Sequence, residues 1–520
     1  MKNFYAALVL LFVVQASVAQ VSPEYNDMKN REMRSMETML RGDEPTNDAI
    51  NGLDYDQVYA RLELRLNPDT AIGSPAGKYV WGAITTYFKT RKSNFNLITF
   101  DMATALTCDS VYYHGVKLAA GSIVRQVDTL RITVPNIASI GTLDSVKVFY
   151  KGVPPAVPVW TTTGFVKNNH SSANQSNPLL RSNGNFIHTL SEPYSAYTWW
   201  PCKTRVAYDK FDSVDIIVST PDAFRVAANG KRTSEVTDGT NRLTTWKHRY
   251  PISTYQICIG VAHYVQYPAT PTLVNIGGTN MELYNLLWLP ATAANQTALN
   301  RTAEMLTVMS AKFGDYPFKK EKYGHYTFGF GGGMEHNSFS GMGPTTYSSA
   351  GSWDVIAHEL GHQWWGAGVT CGSWRDIWVN ESFARYSEVV YLEGKTDASL
   401  TVTPTAHRAT FKADAIDNGS RTETIFRADT STMSAIFSPS VYIYERGAMF
   451  VSMLRKTLGD AKFFQAIQNY QADPGLKYSN AFTADVKRHM EAVCGLDLTE
   501  MFNDWMYKKA HPLYSGGQWN

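Results

Sequence analysis

The stretch that most constrains this 520-residue chain is Ser352-Trp-Asp-Val-Ile-Ala-His358-Glu359-Leu-Gly-His362-Gln-Trp-Trp-Gly366. It reads as a helix, with Ser352 placed to cap it, Asp354 favouring the positive end of the dipole and Gly366 as its stop. His358 and His362 are four residues apart, so both imidazoles leave one face about one turn apart. Two neutral imidazoles at that spacing hold Zn²⁺ at roughly 2.0–2.1 Å from nitrogen. Glu359 neighbours the first ligand, where its carboxylate reaches water activated by the metal and not the metal itself. The alternative is a buried helix with two hydrogen-bonded histidines, and the downstream sequence argues against it.

A catalytic zinc needs a third protein ligand and an open position. Residues Asp376-Ile-Trp-Val-Asn380-Glu381-Ser-Phe-Ala-Arg-Tyr-Ser-Glu388 and onward to Gly394 form a second amphipathic helical stretch, with Asp376 as its cap and Gly394 as its stop. Glu381 follows His362 by 19 residues, enough for one turn, a loop and a returning helix. It is the expected third ligand. Glu388, two turns further on, is its rival and is read as a solvated or supporting group.

The sequence His358-Glu359-x-x-His362, then eighteen residues, then Glu381 inside Trp378-Val-Asn-Glu-Ser-Phe-Ala resembles the signature of the gluzincin zinc aminopeptidases. These are enzymes of the aminopeptidase N and leukotriene hydrolase type, and the resemblance covers roughly residues 50 to 512. It implies one Zn²⁺ per chain. It further implies an N-terminal antiparallel β saddle or sandwich domain followed by an α+β thermolysin-like zinc-peptidase domain.

The pattern along the chain agrees with that division. Residues 1–19 have a positive start at Lys2, an apolar run from Ala6 to Val14 and Ser17-Val18-Ala19 before Gln20, a signal-peptide pattern. They imply an exported protein, periplasmic or extracellular, and no apolar run is long enough for a transmembrane segment. Residues 20–50 read as a polar leader. From about residue 51 to 265 the periodicity is two, as in Val58–Leu66, Asn94–Phe100, Thr129–Val134, Asp144–Tyr150 and Ser213–Val218, which predicts an antiparallel β domain. Residues 266–512 turn helical and form the expected catalytic domain, with 513–520 as a tail. Larger members of the family continue with a further helical domain, and this chain ends without room for one.

Two segments place further residues. In Tyr326-Thr-Phe-Gly-Phe-Gly331-Gly332-Gly333-Met334-Glu335-His336-Asn337, a strand runs into three glycines that let another backbone approach closely. It is similar to the family's Gly-x-Met-Glu-Asn segment. That likeness implies that Gly332, Gly333 and Met334 line the substrate and that Glu335 binds its α-amine. His336 departs from the usual Asn. Near Tyr197-Thr-Trp-Trp200-Pro201-Cys202, Glu192 stands where the family carries a Glu or Gln reaching into the site. Tyr442-Ile-Tyr444-Glu445-Arg446-Gly447 looks like the family's Tyr-Glu-Lys-Gly, with Arg446 for Lys; Tyr444 is the matching tyrosine and Tyr442 its competitor.

The net charge of +2, from 48 basic and 46 acidic residues without a long basic run, argues against a nucleic-acid partner. Five cysteines are too few for a disulfide scaffold, although a Cys108–Cys202 bridge is open to an exported chain. The expected activity is removal of N-terminal residues from peptides with a free N-terminus, with Glu359 and Tyr444 as catalytic residues. The same zinc chemistry on internal peptide bonds or on an epoxide, and a non-catalytic exported binding protein, are the alternatives. Two glutamates aimed at an ammonium favour the aminopeptidase.

Overall fold

The structure, a computed structural model, describes residues 53–156, 163–170, 181–204, 209–414 and 422–510. The signal peptide, the leader and the tail expected from the sequence lie outside the described residues.

Alternation of buried and half-exposed side chains builds the first half. In Tyr55–Arg65, Ala60, Leu62 and Leu64 point inward, and neighbouring strands repeat the pattern. An eight-stranded sheet runs in the order Lys231–Thr237, Asn241–His248, Ser213–Pro221, Tyr55–Arg65, Val80–Thr90, Leu143–Gly152, Leu106–Tyr113, Val116–Lys117. It is antiparallel except at one seam, where Tyr55–Arg65 pairs in parallel with Ser213–Pro221, Tyr59 lying opposite Ser213. Parallel neighbours need a long crossover, and residues 66–212 supply it. A four-stranded and a three-stranded sheet complete the β domain.

A further sheet begins at Val265 and runs Val265–Ile276, Thr279–Leu287, His325–Thr327, Ser340–Met342, Gly333–Met334, so the glycine segment ends as its edge strand. Behind it stand the 21-residue helix Ala293–Phe313, capped by Thr292, the histidine helix Asp354–Gly361 and the glutamate helix Trp378–Gly394. Glu445–Leu458, Asp460–Ala472, Thr483–Cys494 and Thr499–Met506 close the helical layer. Pro404–Lys412 and Met433–Phe437 are short helices in a Thr-, Ala- and Ser-rich stretch that carries no motif.

One hydrophobic core crosses from the β domain into the second half, with Trp199, Trp200 and Trp246 in the same cluster as Phe328, Met334, Phe339, Trp374 and Ile443. Polar contacts pin the crossing. Asn229 Nδ2 donates to the Asn337 carbonyl at 3.0 Å and Gly230 N to Ser338 Oγ at 2.8 Å. The Gln256 amide donates to the Gly366 carbonyl at 3.0 Å. The buried Lys322 ammonium reaches the carbonyls of Ala228 and Ser338.

Three expectations about helix ends change. Ser352 does not cap the histidine helix, which starts at Asp354 after Trp353; the Ser352 hydroxyl instead accepts from Ser349 N at 3.3 Å. Trp353 is buried against Tyr391 and His407 and fixes the direction in which the chain enters the helix. The regular helix ends at Gly361, not Gly366, because the next turn tightens: Gln363 N donates to Leu360 and Trp364 N to Gly361. Asp376 does not cap the glutamate helix. A 3₁₀ turn, Trp374–Asp376, intervenes, and the Asp376 carboxylate accepts from Thr483 N at 3.0 Å and from the Thr483 hydroxyl, anchoring a distant helix. The strand read at Tyr326–Phe330 ends at Thr327. All five cysteines are free, so no Cys108–Cys202 bridge forms.

Burial raises the Asp376 carboxyl to about 6, against the pull of its bonds to Thr483. The folded state therefore holds this proton where the unfolded chain has lost it, and stability falls as pH rises through about 6. The margin in thermal midpoint of wild type over Asp376→Asn should be largest near pH 4 and narrow towards pH 8. A margin independent of pH would contradict the assignment.

Candidate active site

The site is set by how closely two helices approach. A Cβ on Gly361 would lie 2.7 Å from Ser387 Cβ, so glycine lets the histidine helix close on the glutamate helix. That approach brings Glu381 to the two imidazoles. His358 Nε2 and His362 Nε2 are 3.1 Å apart, and Glu381 Oε2 lies 3.4 Å from the first and 3.2 Å from the second. Ligand atoms about 2.0–2.1 Å from a tetrahedral zinc stand about 3.3 Å apart, so the triangle fits. The donor set, two imidazoles and one carboxylate, is that of a zinc site with an open fourth position.

Both rings are held from behind. His362 Nδ1 donates to the Trp365 carbonyl at 2.9 Å, and His358 Nδ1 meets Glu388 Oε1 at 3.1 Å, leaving each Nε2 for the metal. Glu388 is thus buried and hydrogen-bonded to a ligand's ring, not solvated.

Four glutamates, Glu381 among them, cluster at this triangle. Glu192, Glu335, Glu359 and Glu381 are each no more than 7% exposed, and each keeps one buried carboxylate oxygen without a hydrogen bond among the described residues. Donor atoms of Glu335, Glu359 and His362 all lie within 4.8 Å of one another. Burial raises Glu359 to about 8, against the pull of the two histidines. Burial and then the charges of Glu335, Glu381 and Glu359 push Glu192 far up, and burial raises Glu335. Glu381 goes the other way, to about 2, because the histidines outweigh its burial. The structure brings Glu192, from the β domain, into the same cluster as the zinc triangle.

The edge strand supplies the floor. Gly333 and Met334 pair antiparallel with Met342 and Gly341, and the Gly332 carbonyl accepts from Gly343 N at 2.8 Å. A side chain at Gly333 would collide with the Glu359 carboxylate, so the strand runs directly against that group. Gln363 holds the segment after Met334: its Oε1 accepts from Ser338 N at 2.8 Å, and its Nε2 donates to the carbonyls of Glu335 and His336. No motif in the sequence marks Gln363, and its place beside His362 is the one signal that points to it.

Tyr444 stacks on His358, ring centroids 5.8 Å apart, and burial followed by the nearby glutamates raises its phenol. Tyr442 is buried elsewhere, its hydroxyl accepting from Thr422 N at 2.9 Å. Arg446, in place of the family's Lys, spreads its guanidinium over the carbonyls of Glu423, Lys508, Lys509 and Ala510 and fastens the end of the described chain. His336 is fully buried, with Nδ1 3.0 Å from the Tyr326 hydroxyl; burial lowers it to about 3, so it is a neutral part of the domain junction.

A His₂Glu triangle with a further glutamate beside it, under a sheet edge, fits a zinc ion with a general base at its side. Residues 297–505 match the Peptidase family M1 domain. The chain is similar to aminopeptidase N of Lactococcus lactis subsp. cremoris, 30% identical over 162 residues, which is 31% of this chain and 19% of the relative. It is also similar to a leucyl aminopeptidase of Saccharolobus solfataricus, 30% identical over 169 residues, 31% of this chain and 20% of the relative. The match thus spans about a fifth of the length of these relatives. The fold is that of a solved M1 zinc metallopeptidase from Deinococcus radiodurans, with TM-score 0.73, 22% identity and coverage of 89% of this chain and 96% of that one. A mutant of that enzyme bound to a Tyr-Ser-Ala substrate gives TM-score 0.72 at 21% identity, covering 89% and 97%.

In the metal-free protein, burial opposes charge on the imidazoles, but bonding to Glu381 and Glu388 raises His358 to about 10, and Glu381 and Glu335 raise His362 to about 9. Two Nε2 atoms 3.1 Å apart leave room for one proton between them. Zinc must displace it, so zinc uptake at pH 7 should release at least one proton, and apparent affinity should weaken as pH falls. Calorimetric titrations in two buffers of different protonation enthalpy measure this; uptake without proton release would contradict the ligand set.

Proposed function

We propose that the chain is a zinc aminopeptidase that removes residues from the N-termini of peptides. The observation that carries this reading is the pair Glu192 and Glu335. These are two buried carboxyl groups contributed by different domains, each with an oxygen that has no hydrogen bond among the described residues, and Glu192 lies near enough to feel the charges of Glu335 and Glu381. Burial disfavours the charged form of both groups, and a cation that is not part of the protein would stabilise it. A peptide's free ammonium, set one residue from the scissile bond, meets that demand.

His358, His362 and Glu381 hold the zinc, which when bound polarises the scissile carbonyl and provides a nucleophile from water near neutral pH. Glu359, next in sequence to the ligand His358 and beside the triangle, takes the proton of the attacking water and returns it to the leaving amine. The Tyr444 hydroxyl donates to the oxyanion that develops as the carbonyl is attacked. The edge strand at Gly333 and Met334 aligns the substrate backbone antiparallel, with Gly333 keeping the approach to Glu359 clear. We further propose export, supported by the charged start, apolar run and small-x-small pattern of residues 1–20.

Glu359→Gln should keep stoichiometric zinc and lose nearly all turnover, whereas Glu381→Ala should lose the metal; a Glu359→Gln protein near the wild-type rate would remove the base from the mechanism. Tyr444→Phe should lower kcat by about 10²–10³ with little change in KM, because its donation is felt in the transition state. Tyr442→Phe should be mild by comparison, and equal rates for wild type and Tyr444→Phe would overturn the oxyanion role.

One peptide, supplied free and N-acetylated, tests the reading itself by a mass-spectrometric time course. Stepwise single-residue losses from the free peptide and sparing of the acetylated one are expected. Internal fragments appearing as fast as single losses would mean an endopeptidase.

A further inference from the structure

His358 differs from His362 in what stands behind it. His362 leans on the carbonyl of Trp365, three residues along its own chain. His358 leans on the Glu388 carboxylate, a buried charge whose second oxygen must be satisfied for the first to stay in place. Glu388 Oε2 receives two donors, Arg385 Nη1 at 2.7 Å and His407 Nε2 at 2.6 Å. Arg385 lies one turn before Glu388 on the same helix. His407 comes from elsewhere, on the helix Pro404–Lys412, which carries no motif in the sequence.

The surroundings of His407 fix its ring. It is buried edge-on between Trp353 and Phe411, both with centroids 5.0 Å away. Trp353 is the residue from which the histidine helix starts, and Phe411 also lies under the Arg385 guanidinium at 5.0 Å. A single ring therefore touches the start of the helix that carries the ligands and the carboxylate that orients one of them. Burying a histidine at 2.6 Å from a carboxylate already paired with arginine is more than packing requires, since an apolar side chain would fill the same space.

We propose that His407 is a positioning residue for the zinc site: its Nε2–H locks the Glu388 carboxylate so that Glu388 holds the Nδ1–H of His358 and leaves Nε2 for the metal. The consequence is slow metal release. A ligand ring free to turn or to change tautomer lets the metal go, and partners of ligating histidines typically change metal affinity by about 10–100-fold. Gln in place of His407 carries an amide donor on a chain of similar reach, whereas Phe fills the slot without one.

The inference rests on the zinc reading above and is tested apart from turnover. Zinc-loaded wild type, His407→Phe, His407→Gln, Glu388→Gln and the His407→Phe/Glu388→Gln double variant are mixed with excess chromogenic chelator, and the rate of zinc release is followed. Release should quicken about 10–100-fold in His407→Phe and Glu388→Gln, return towards wild type in His407→Gln, and be no faster in the double variant than in Glu388→Gln alone. Wild-type release from His407→Phe, or effects that multiply in the double variant, would overturn the proposal. So would equal acceleration by Gln and Phe. If Phe is not accommodated beside Trp353 and the protein fails to fold, Met replaces it and the comparison with Gln stands. A wild-type protein that binds no zinc would fail the zinc reading itself, a result distinct from all of these.

Discussion

Everything in this site depends on burying carboxyl groups together: burial disfavours charge on Glu192, Glu335 and Glu359, while the two histidines hold Glu381 ionised. Four glutamates cluster at one site, and among the described residues each keeps an oxygen with no hydrogen bond. Burial penalises such charges heavily, and proteins accept the arrangement where ligands bring the missing cations. Here two cations of different kinds fit the demand. A divalent metal fits the His358, His362 and Glu381 triangle, whose edges are 3.1–3.4 Å. Under the proposed function a substrate's ammonium would be the second, with Glu192 and Glu335 as its partners, and Glu359 lies within 4.8 Å of both Glu335 and His362 through its donor atoms.

Charge alone would not hold this geometry. Glu192 comes from the β domain and Glu335 directly follows the edge strand of the second, so their separation is as rigid as the junction between the halves. That junction is a continuous hydrophobic core crossed by hydrogen bonds at Asn337, Ser338 and Gly366. Gln363 adds a link from the turn that follows the histidine helix to the same segment. The glycine strand, the zinc helix and the β domain are thereby tied to one short loop, and any residue that moves it moves Glu335 against the metal triangle. His336 makes sense in these terms: as a buried neutral ring bonded to Tyr326, it belongs to the junction.

What was legible in the sequence is what the backbone itself spaces. His358 and His362 are four residues apart on a helix, and that interval alone puts both rings on one face. The strands of the β domain were legible because one face is buried and the alternation is strict, as at Ala60, Leu62 and Leu64. The helix ends were less so: a cap requires a particular backbone direction, and the burial of Trp353 chose that direction over Ser352, while Asp376 was drawn to Thr483, 107 residues away. The parallel seam at Tyr55–Arg65 escaped for the same reason, since strand partners are set by tertiary packing and alternation says only which face is inside.

His407 and Gln363 are the clearest cases of what a sequence conceals. A ligand must reach a metal within a tenth of an ångström or two, so few residue types and spacings will serve, and the motif is conspicuous. A group that steadies a ligand needs only to place one donor, and many positions on many helices can offer it. Its identity is therefore set by packing, such as the slot between Trp353 and Phe411, and leaves no regular interval along the chain. The same freedom explains Arg446, where a longer, forked cation fastens three carbonyls at the chain's described end to that of Glu423. Chemistry at the metal is thus confined to a small set of residues, while its support is distributed over distant segments that only the fold brings into contact.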